Sequence, residues 1–120
     1  ENNENVEKCI ELIKSKNSLV GLAINPDTEL STITPYLNYI DIILVMSVYP
    51  GKGGQNFIED TYEKIQQLEK LKEEKKFKIS VDGGVNNTNS TNLKIYGADI
   101  LVSGSFLIKS SNLNNAIKSL

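Results

Sequence analysis

Helix-like and strand-like hydrophobic patterns alternate from the start of the chain. Val6, Ile10 and Ile13 recur at spacings of four and three, which predicts an amphipathic helix over residues 5–16. Residues 19–24 then form an apolar run that an Asn-Pro pair ends, which predicts a buried strand. The chain therefore opens with one helix followed by one strand.

Three further helix and strand pairs and a final helix follow the same scheme. The patterns predict helices over 29–37, 59–75, 88–96 and 112–120, strands over 42–48, 78–81 and 100–103, and a short apolar turn at 106–108. We expect Pro35 to bend or end the second helix, since proline lacks a backbone N–H. Helical crossovers between strands imply one parallel sheet, and no linker interrupts it. We therefore predict a single α/β segment over residues 1–120.

The unusual residues of the chain gather directly after the predicted strands. They are Asn25-Pro26 and the segments 51–55, 82–84 and 104–105. In a parallel βα array the carboxyl ends of all strands open onto one face, where the sites of such proteins lie. Glycine lets backbone N–H groups approach an anion closely, and barrels often bind phosphate on the loops after their last strands. Three glycine-rich loops on one face predict a phosphate site, although a plain turn explains any one of them.

Single residues leave alternatives open. Asp82 ends a buried strand, and taken alone it is as typical of a turn cap as of a catalytic carboxylate. Lys52 either contacts a phosphate or is only solvated. Met46 points either into the barrel core or toward the site mouth, and the barrel core is the usual place for methionine in an apolar strand. The Lys-Glu run over 69–78 is most simply a solvated face.

Composition narrows the classes of function. A net charge of -2 provides no basic surplus for nucleic acid or an anionic membrane, and no apolar run is long enough to span a bilayer. The absence of histidine removes His-based acid–base chemistry from this segment. A single cysteine excludes an internal disulfide and predicts a reducing, cytoplasmic location. Because no methionine begins the chain, we expect it to start partway through a longer product.

The residues at the predicted strand ends form four motifs, of which the longest are MSVYPGKGGQNF at 46–57 and VDGGV at 81–85. The first resembles the loop after the sixth strand of the ribulose-phosphate 3-epimerase family, and the second resembles the seventh-strand motif of that family. GAD at 97–99 with VSGS at 102–105 resembles the eighth-strand motif, and GLAINP at 21–26 with Thr28 resembles the fifth-strand motif. The motifs occur in family order over essentially the whole chain. The resemblance implies the C-terminal half of a (β/α)8 TIM barrel, with four parallel strands alternating with helices.

The resemblance also implies a site and a reaction. Asp82 matches an aspartate that is a general acid/base and a ligand of a divalent metal (Zn, Fe, Mn or Co), and Met46 matches a methionine that shields the site. The implied reaction interconverts D-ribulose 5-phosphate and D-xylulose 5-phosphate, with two aspartates moving the C3 proton on opposite faces of the sugar. The implied phosphate-binding residues are Gly51, Lys52, Gly53, Gly54, Gly83, Gly84, Gly104 and Ser105.

Two departures from the family pattern are visible, at Tyr49 and Lys52, where the family usually has Asn or Glu and an aromatic residue. The family's two histidine ligands, its second aspartate and a substrate-contacting serine belong to the first four strands. We therefore expect the N-terminal half of the barrel to be required, and the full-length protein to be a homo-oligomer. The alternatives are an epimerase of another ketose phosphate, such as a hexulose 6-phosphate, and a non-catalytic phosphate-binding half-barrel.

Overall fold

A computed structural model describes residues 5–51, 53–72 and 75–120. Its four parallel strands form one sheet in the order β1-β2-β3-β4, namely β1 (Gly21–Ile24), β2 (Ile42–Met46), β3 (Lys78–Asp82) and β4 (Ile100–Val102). Its helices are α1 (Val6–Lys14), α2 (Leu30–Ile33), a 3-10 helix (Thr34–Tyr39), α3 (Thr61–Leu71), α4 (Ser90–Tyr96), α5 (Ser105–Ile108) and α6 (Leu113–Lys118). The predicted α/β fold class with four parallel strands is confirmed. None of the helices in the described segments has the length and hydrophobicity that crossing a bilayer requires.

The ends of several elements differ from the predicted ones. α2 ends at Ile33, and the chain continues as a 3-10 helix that carries Pro35 in its first turn, because proline has no N–H for the α-helical bond. The turn predicted at 106–108 was wrong. The Ile108 N–H donates to the Gly104 carbonyl at 3.0 Å, so this segment forms α5.

Strand register divides the sheet into two faces. Side chains of residues paired across parallel strands share a face, so Ile43, Val45, Ile79 and Val81 lie together. All four are completely buried, in one core with Leu68 of α3. Helices therefore cover this face of the sheet.

The opposite face of the sheet is apolar on β2 and β4, carries polar residues on β3, and is only partly covered. Ile100 and Val102 on β4 are 36% and 40% exposed. Strands that are apolar on both faces are typical of sheets that other elements cover on both sides. The residues of this open face on β2, β3 and β4 are Ile42, Leu44, Met46, Lys78, Ser80, Asp82, Ile100 and Val102.

Part of the Lys-Glu run belongs to an ion-pair cluster. The prediction that the run forms a solvated face was therefore wrong at Lys72. Its Nζ lies 2.9 Å from Glu69 Oε2 and 2.6 Å from Asp99 Oδ2. Asp99 Oδ2 also accepts the Ile79 N–H at 2.7 Å. Partial burial raises the pKa of Asp99, but the hydrogen bonds from Lys72 and Ile79 outweigh this effect and hold the pKa below its ordinary value. The cluster ties α3 to the residue before β4.

Candidate functional site

Three side chains form a row at the carboxyl ends of three neighbouring strands. Met46 pairs with Asp82, and Asp82 pairs with Val102, so all three project from the open face. All three also line one cavity. Met46 is half-buried there, on the open face of the sheet and outside the helix-covered core.

The cavity has a volume of about 750 Å³, and the loops after β2, β3 and β4 build it. A Cβ atom added to Gly53 would lie 3.9 Å from Ser105 Oγ, so the first and last of these loops approach each other. Lys52 lies outside the described residues. The other residues predicted to bind phosphate all line this cavity, namely Gly51, Gly53, Gly54, Gly83, Gly84, Gly104 and Ser105.

The loop after β3 packs tightly against the loop after β2 at two glycines. Gly83 and Gly84 have φ values of 127° and 63°, in the region that other residues rarely adopt. A Cβ on Gly83 would lie 2.6 Å from Val48 Cγ2, and one on Gly84 would lie 2.8 Å from Phe57 N. Both the backbone angle and the close neighbour therefore require glycine at these positions.

Ser47 connects the end of β2 to this loop. Its N–H donates to the Asp82 carbonyl at 2.8 Å, and its hydroxyl donates to the Gly83 carbonyl at 2.6 Å. Its own carbonyl accepts the Ile58 N–H at 2.9 Å. Ser47 is completely buried and lies behind the cavity wall between Met46 and Val48.

The next two carbonyls of the same loop are held by side chains as well. Gly84 O accepts the Nδ2 groups of Asn86 and Asn89, both at 3.0 Å. Val85 O accepts the Ser103 hydroxyl at 2.7 Å. Four consecutive carbonyls, from Asp82 to Val85, are thus occupied by protein donors.

The N–H groups of this loop contrast with its carbonyls. In a trans peptide the N–H points away from the preceding carbonyl, so the N–H groups of Gly84 and Val85 turn away from those anchors. Among the described residues, none accepts either of these two N–H groups. Val85 is buried and Gly84 is half-buried, and both residues line the cavity. Buried N–H groups in proteins are nearly always paired. An oxyanion in the cavity would provide the missing acceptors.

Asp82 is the one carboxylate on the described lining of the cavity, where it is half-buried. The described residues contain no group of three or more His, Cys, Asp or Glu side chains that could hold a metal ion. Asp82 offers a divalent cation one oxygen ligand, whereas a catalytic zinc site uses about three protein ligands. The residues described here do not form a metal site by themselves.

Sequence reasoning did not select several residues that shape the cavity. Asn86 and Asn89 hold the Gly84 carbonyl, and the Asn86 N–H donates to Asn89 Oδ1 at 2.9 Å. The run of Asn, Thr and Ser before α4, typical of a helix start, is the signal that could have identified them. Ser47, a polar residue inside an apolar run, was a second such signal, whereas exposed Lys109 at the cavity wall left none.

The parallel strands alternate with helices, and glycine loops follow the carboxyl ends of the strands. This arrangement defines an α/β protein that forms part of a (β/α) barrel. A sequence profile of the ribulose-phosphate 3 epimerase family matches residues 1–108. The chain belongs to that family, and the resemblance seen in its four motifs is confirmed.

Relatives named as ribulose-phosphate 3-epimerases come from bacteria and a plant. The protein of Buchnera aphidicola subsp. Baizongia pistaciae is 44% identical over 121 residues, which cover 99% of this chain and 53% of the relative. The protein of Serratia marcescens is 42% identical over 107 residues, which cover 88% of this chain and 51% of that relative. The chloroplastic ribulose-5-phosphate-3-epimerase of Arabidopsis thaliana is 40% identical over 115 residues, which cover 94% of this chain and 41% of that relative. The chain thus spans about half the length of the bacterial relatives.

Proposed function

We propose that the complete protein is a ribulose-phosphate 3-epimerase that interconverts D-ribulose 5-phosphate and D-xylulose 5-phosphate. One observation carries this proposal. Asp82 stands between Met46 and Val102 in a cavity whose adjoining glycine loop presents N–H groups that no described residue accepts. The names of relatives at 44% and 42% identity support it.

The phosphate group of the substrate binds at the glycine loops. The N–H groups of Gly84 and Val85 donate to its oxygens from one side of the cavity. Exposed Lys109 adds a positive charge at the wall. Backbone N–H groups suit this task because they approach an anion closely without a bulky side chain between. The loop residues proposed to line the rest of the phosphate site are Gly51, Lys52, Gly53, Gly54, Gly83, Gly104 and Ser105.

Asp82 transfers the C3 proton on one face of the sugar. The C3–H bond lies next to the C2 carbonyl, so its proton can leave to a carboxylate while an enediolate forms. Inversion then needs a proton from the opposite face, and therefore a second acid. The described lining offers only one carboxylate, so we place the second acid outside these residues. A divalent cation (Zn, Fe, Mn or Co) would take Asp82 as one ligand and would supply charge stabilisation, with its other ligands also outside them.

The missing half of the barrel covers the open face of the sheet. β1 and β4 each have one neighbour in the sheet, and the match to the Buchnera protein covers 53% of that relative. Unpaired strand edges and exposed apolar area favour association. We therefore expect the isolated chain to self-associate and to lack epimerase activity. Light scattering that shows a compact, cooperatively unfolding monomer at micromolar concentration would contradict this. The homo-oligomeric state and the cytoplasmic location of the full-length protein stay predictions.

Replacing Asp82 with asparagine in the complete protein tests the catalytic assignment. We expect Asp82→Asn to remain folded and to lose about 10²–10⁴-fold in turnover, the usual contribution of general acid–base catalysis. The matched control is Asp27→Asn, since Asp27 is exposed and does not line the cavity. The readout is C3 deuterium incorporation from D2O. Retention of more than about a tenth of the wild-type rate would exclude Asp82 from this role.

The same assay separates the two ketose phosphates. Run with a hexulose 6-phosphate in place of the pentulose 5-phosphate, it distinguishes an epimerase for the longer sugar. Turnover of neither sugar by the complete protein would favour a non-catalytic phosphate-binding protein.

A further inference from the structure

We propose that Ser47 is a positioning residue that fixes the direction of the Gly83–Gly84 peptide, so that the Gly84 N–H faces the phosphate of the substrate. This inference rests on the proposed function and deepens it. Ser47 itself does not line the cavity and is completely buried, so it acts only through the loop that it holds.

The direction of this peptide is not determined by the two glycines alone. Glycine adopts positive and negative φ with similar ease, so the peptide plane between Gly83 and Gly84 can rotate at little steric cost. Rotation would exchange the directions of the Gly83 carbonyl and the Gly84 N–H. The carbonyl carries partial negative charge and would repel a phosphate that the N–H attracts. The two glycines therefore let the loop pack closely, but they do not determine whether the carbonyl or the N–H of this peptide faces the cavity.

The Ser47 hydroxyl removes this ambiguity. It donates to the Gly83 carbonyl at 2.6 Å and so holds that oxygen away from the cavity. Ser47 is fixed at two further points, since its N–H donates to Asp82 O at 2.8 Å and its carbonyl accepts the Ile58 N–H at 2.9 Å. Because the position is completely buried, water cannot readily replace the hydroxyl, and its removal leaves the Gly83 carbonyl without this donor.

The effect is confined to one peptide. The Gly84 carbonyl is held by Asn86 and Asn89, and the Val85 carbonyl by Ser103. None of these bonds involves Ser47. Loss of the Ser47 hydroxyl should therefore change the Gly83–Gly84 peptide and leave the following two in place.

The test uses the complete protein with inorganic phosphate as the probe and isothermal titration as the readout. We expect Ser47→Ala to weaken phosphate binding roughly 5- to 100-fold, the range for one buried hydrogen bond lost. Ser47→Thr and Ser47→Val form a matched pair, because they add the same branch and differ only in the hydroxyl. Threonine should bind phosphate more tightly than valine by a similar factor. The control is Ser90→Ala, since Ser90 is equally buried and its hydroxyl faces Ser119 O at 3.5 Å.

A purely structural role predicts a different outcome. It would lower the folded fraction, and with it the apparent kcat, whereas a positioning role raises KM and the phosphate Kd together and changes kcat less. Folded Ser47→Ala that binds phosphate within twofold of wild type, or a threonine variant no better than valine, would overturn the proposal.

Should the variants not fold, the wild-type protein still decides. Phosphate titration should move the Gly84 amide resonance more than that of Asn86, whose N–H already has an acceptor. An unmoved Gly84 resonance during saturable phosphate binding sinks the inference and leaves the epimerase proposal intact. Turnover of neither ketose phosphate by a wild-type protein that binds phosphate and shifts the Gly84 resonance does the reverse. A wild-type protein that binds no phosphate sinks both.

Discussion

Replacing Lys64 with methionine tests how the loop after β1 is held in place. Lys64 lies in the first turn of α3, and its Nζ lies 3.2, 2.5 and 2.8 Å from the carbonyl oxygens of Asn25, Pro26 and Thr28. An ammonium group has three N–H donors, which matches these three acceptors. The loop after β1 is thereby tied to the helix that follows the loop after β2.

The expected loss follows from these contacts. A hydrogen bond to a charged group contributes about 1.5–3 kcal/mol, and the low end applies here because Lys64 is only partly buried. The three bonds together therefore contribute about 4.5 kcal/mol, and fixing the lysine side chain opposes this by roughly 1.5–2 kcal/mol. We therefore expect Lys64→Met to lower the free energy of unfolding by about 2–3 kcal/mol. Methionine keeps most of the apolar stem, so the loss reports mainly on the ammonium group.

Urea unfolding of the complete protein measures this difference. The control is Lys118→Met, because Lys118 is exposed in the last turn of α6. The three carbonyl oxygens left by Lys64→Met suit a small cation, so ammonium chloride should restore more stability than tetramethylammonium chloride. A Lys64→Met protein within about 0.5 kcal/mol of the control would refute the reasoning, since surface substitutions usually stay in that range.

Three further predictions concern other parts of the chain. Because the pKa of Asp99 is lowered in the folded protein, the stability that Asp99 contributes is complete above its unfolded pKa near 4 and is lost as pH falls through the folded pKa. In Asp99→Asn, the free energy of unfolding should lack this part of the pH dependence, roughly 1 kcal/mol or less, and an acid titration curve identical to wild type would contradict the prediction. Lys109→Gln should raise KM by roughly threefold at low salt and by less at high salt, with kcat unchanged and Lys118→Gln inert; an effect independent of salt would exclude a charge role. Gly84→Ala should cost at least about 1–2 kcal/mol in urea unfolding because of its φ of 63° and the 2.8 Å approach to Phe57 N, and wild-type stability would show that the loop relaxes freely.

The order of the elements was predictable from hydrophobic spacing because the helix-covered face of the sheet needs apolar residues at regular positions. The ends of the strands were less predictable. Val48 is buried at 7% exposure although β2 ends at Met46, and Leu19 is 72% exposed although it opens an apolar run. Hydrophobicity reports burial, whereas a strand ends where its ladder of hydrogen bonds ends. The two limits need not coincide.

The glycine loops were predictable as a group, since every strand of a parallel sheet presents its carboxyl end on one face. The groups that orient these loops were not. Ser47 and Gly83 are 36 residues apart, and Lys64 and Pro26 are 38 residues apart. Only the register that pairs Met46 with Asp82 brings the first pair together. Local patterns carry no information about such partners.

One turn of chain holds both of the groups to which the proposed function gives a role in this segment. Under the proposed function, Asp82 acts at C3, and the Gly84 N–H, two residues further on, binds the phosphate. Two residues of extended chain span about 7 Å, which is the largest distance that the backbone allows between the Cα atoms of Asp82 and Gly84. In a pentulose 5-phosphate, four bonds of about 1.5 Å each separate C3 from phosphorus, or about 5 Å when extended. The two lengths are compatible, and the remaining reach is supplied by the Asp82 side chain and the phosphate oxygens. A hexulose 6-phosphate lengthens the ligand by one carbon while the loop stays fixed by its four anchored carbonyls. Under the proposed function, the Asp-Gly-Gly turn sets the distance between the acid/base and the anion, and the Ser47 bond that fixes the Gly83–Gly84 peptide would then bear on which sugar reacts as well as on how tightly phosphate binds.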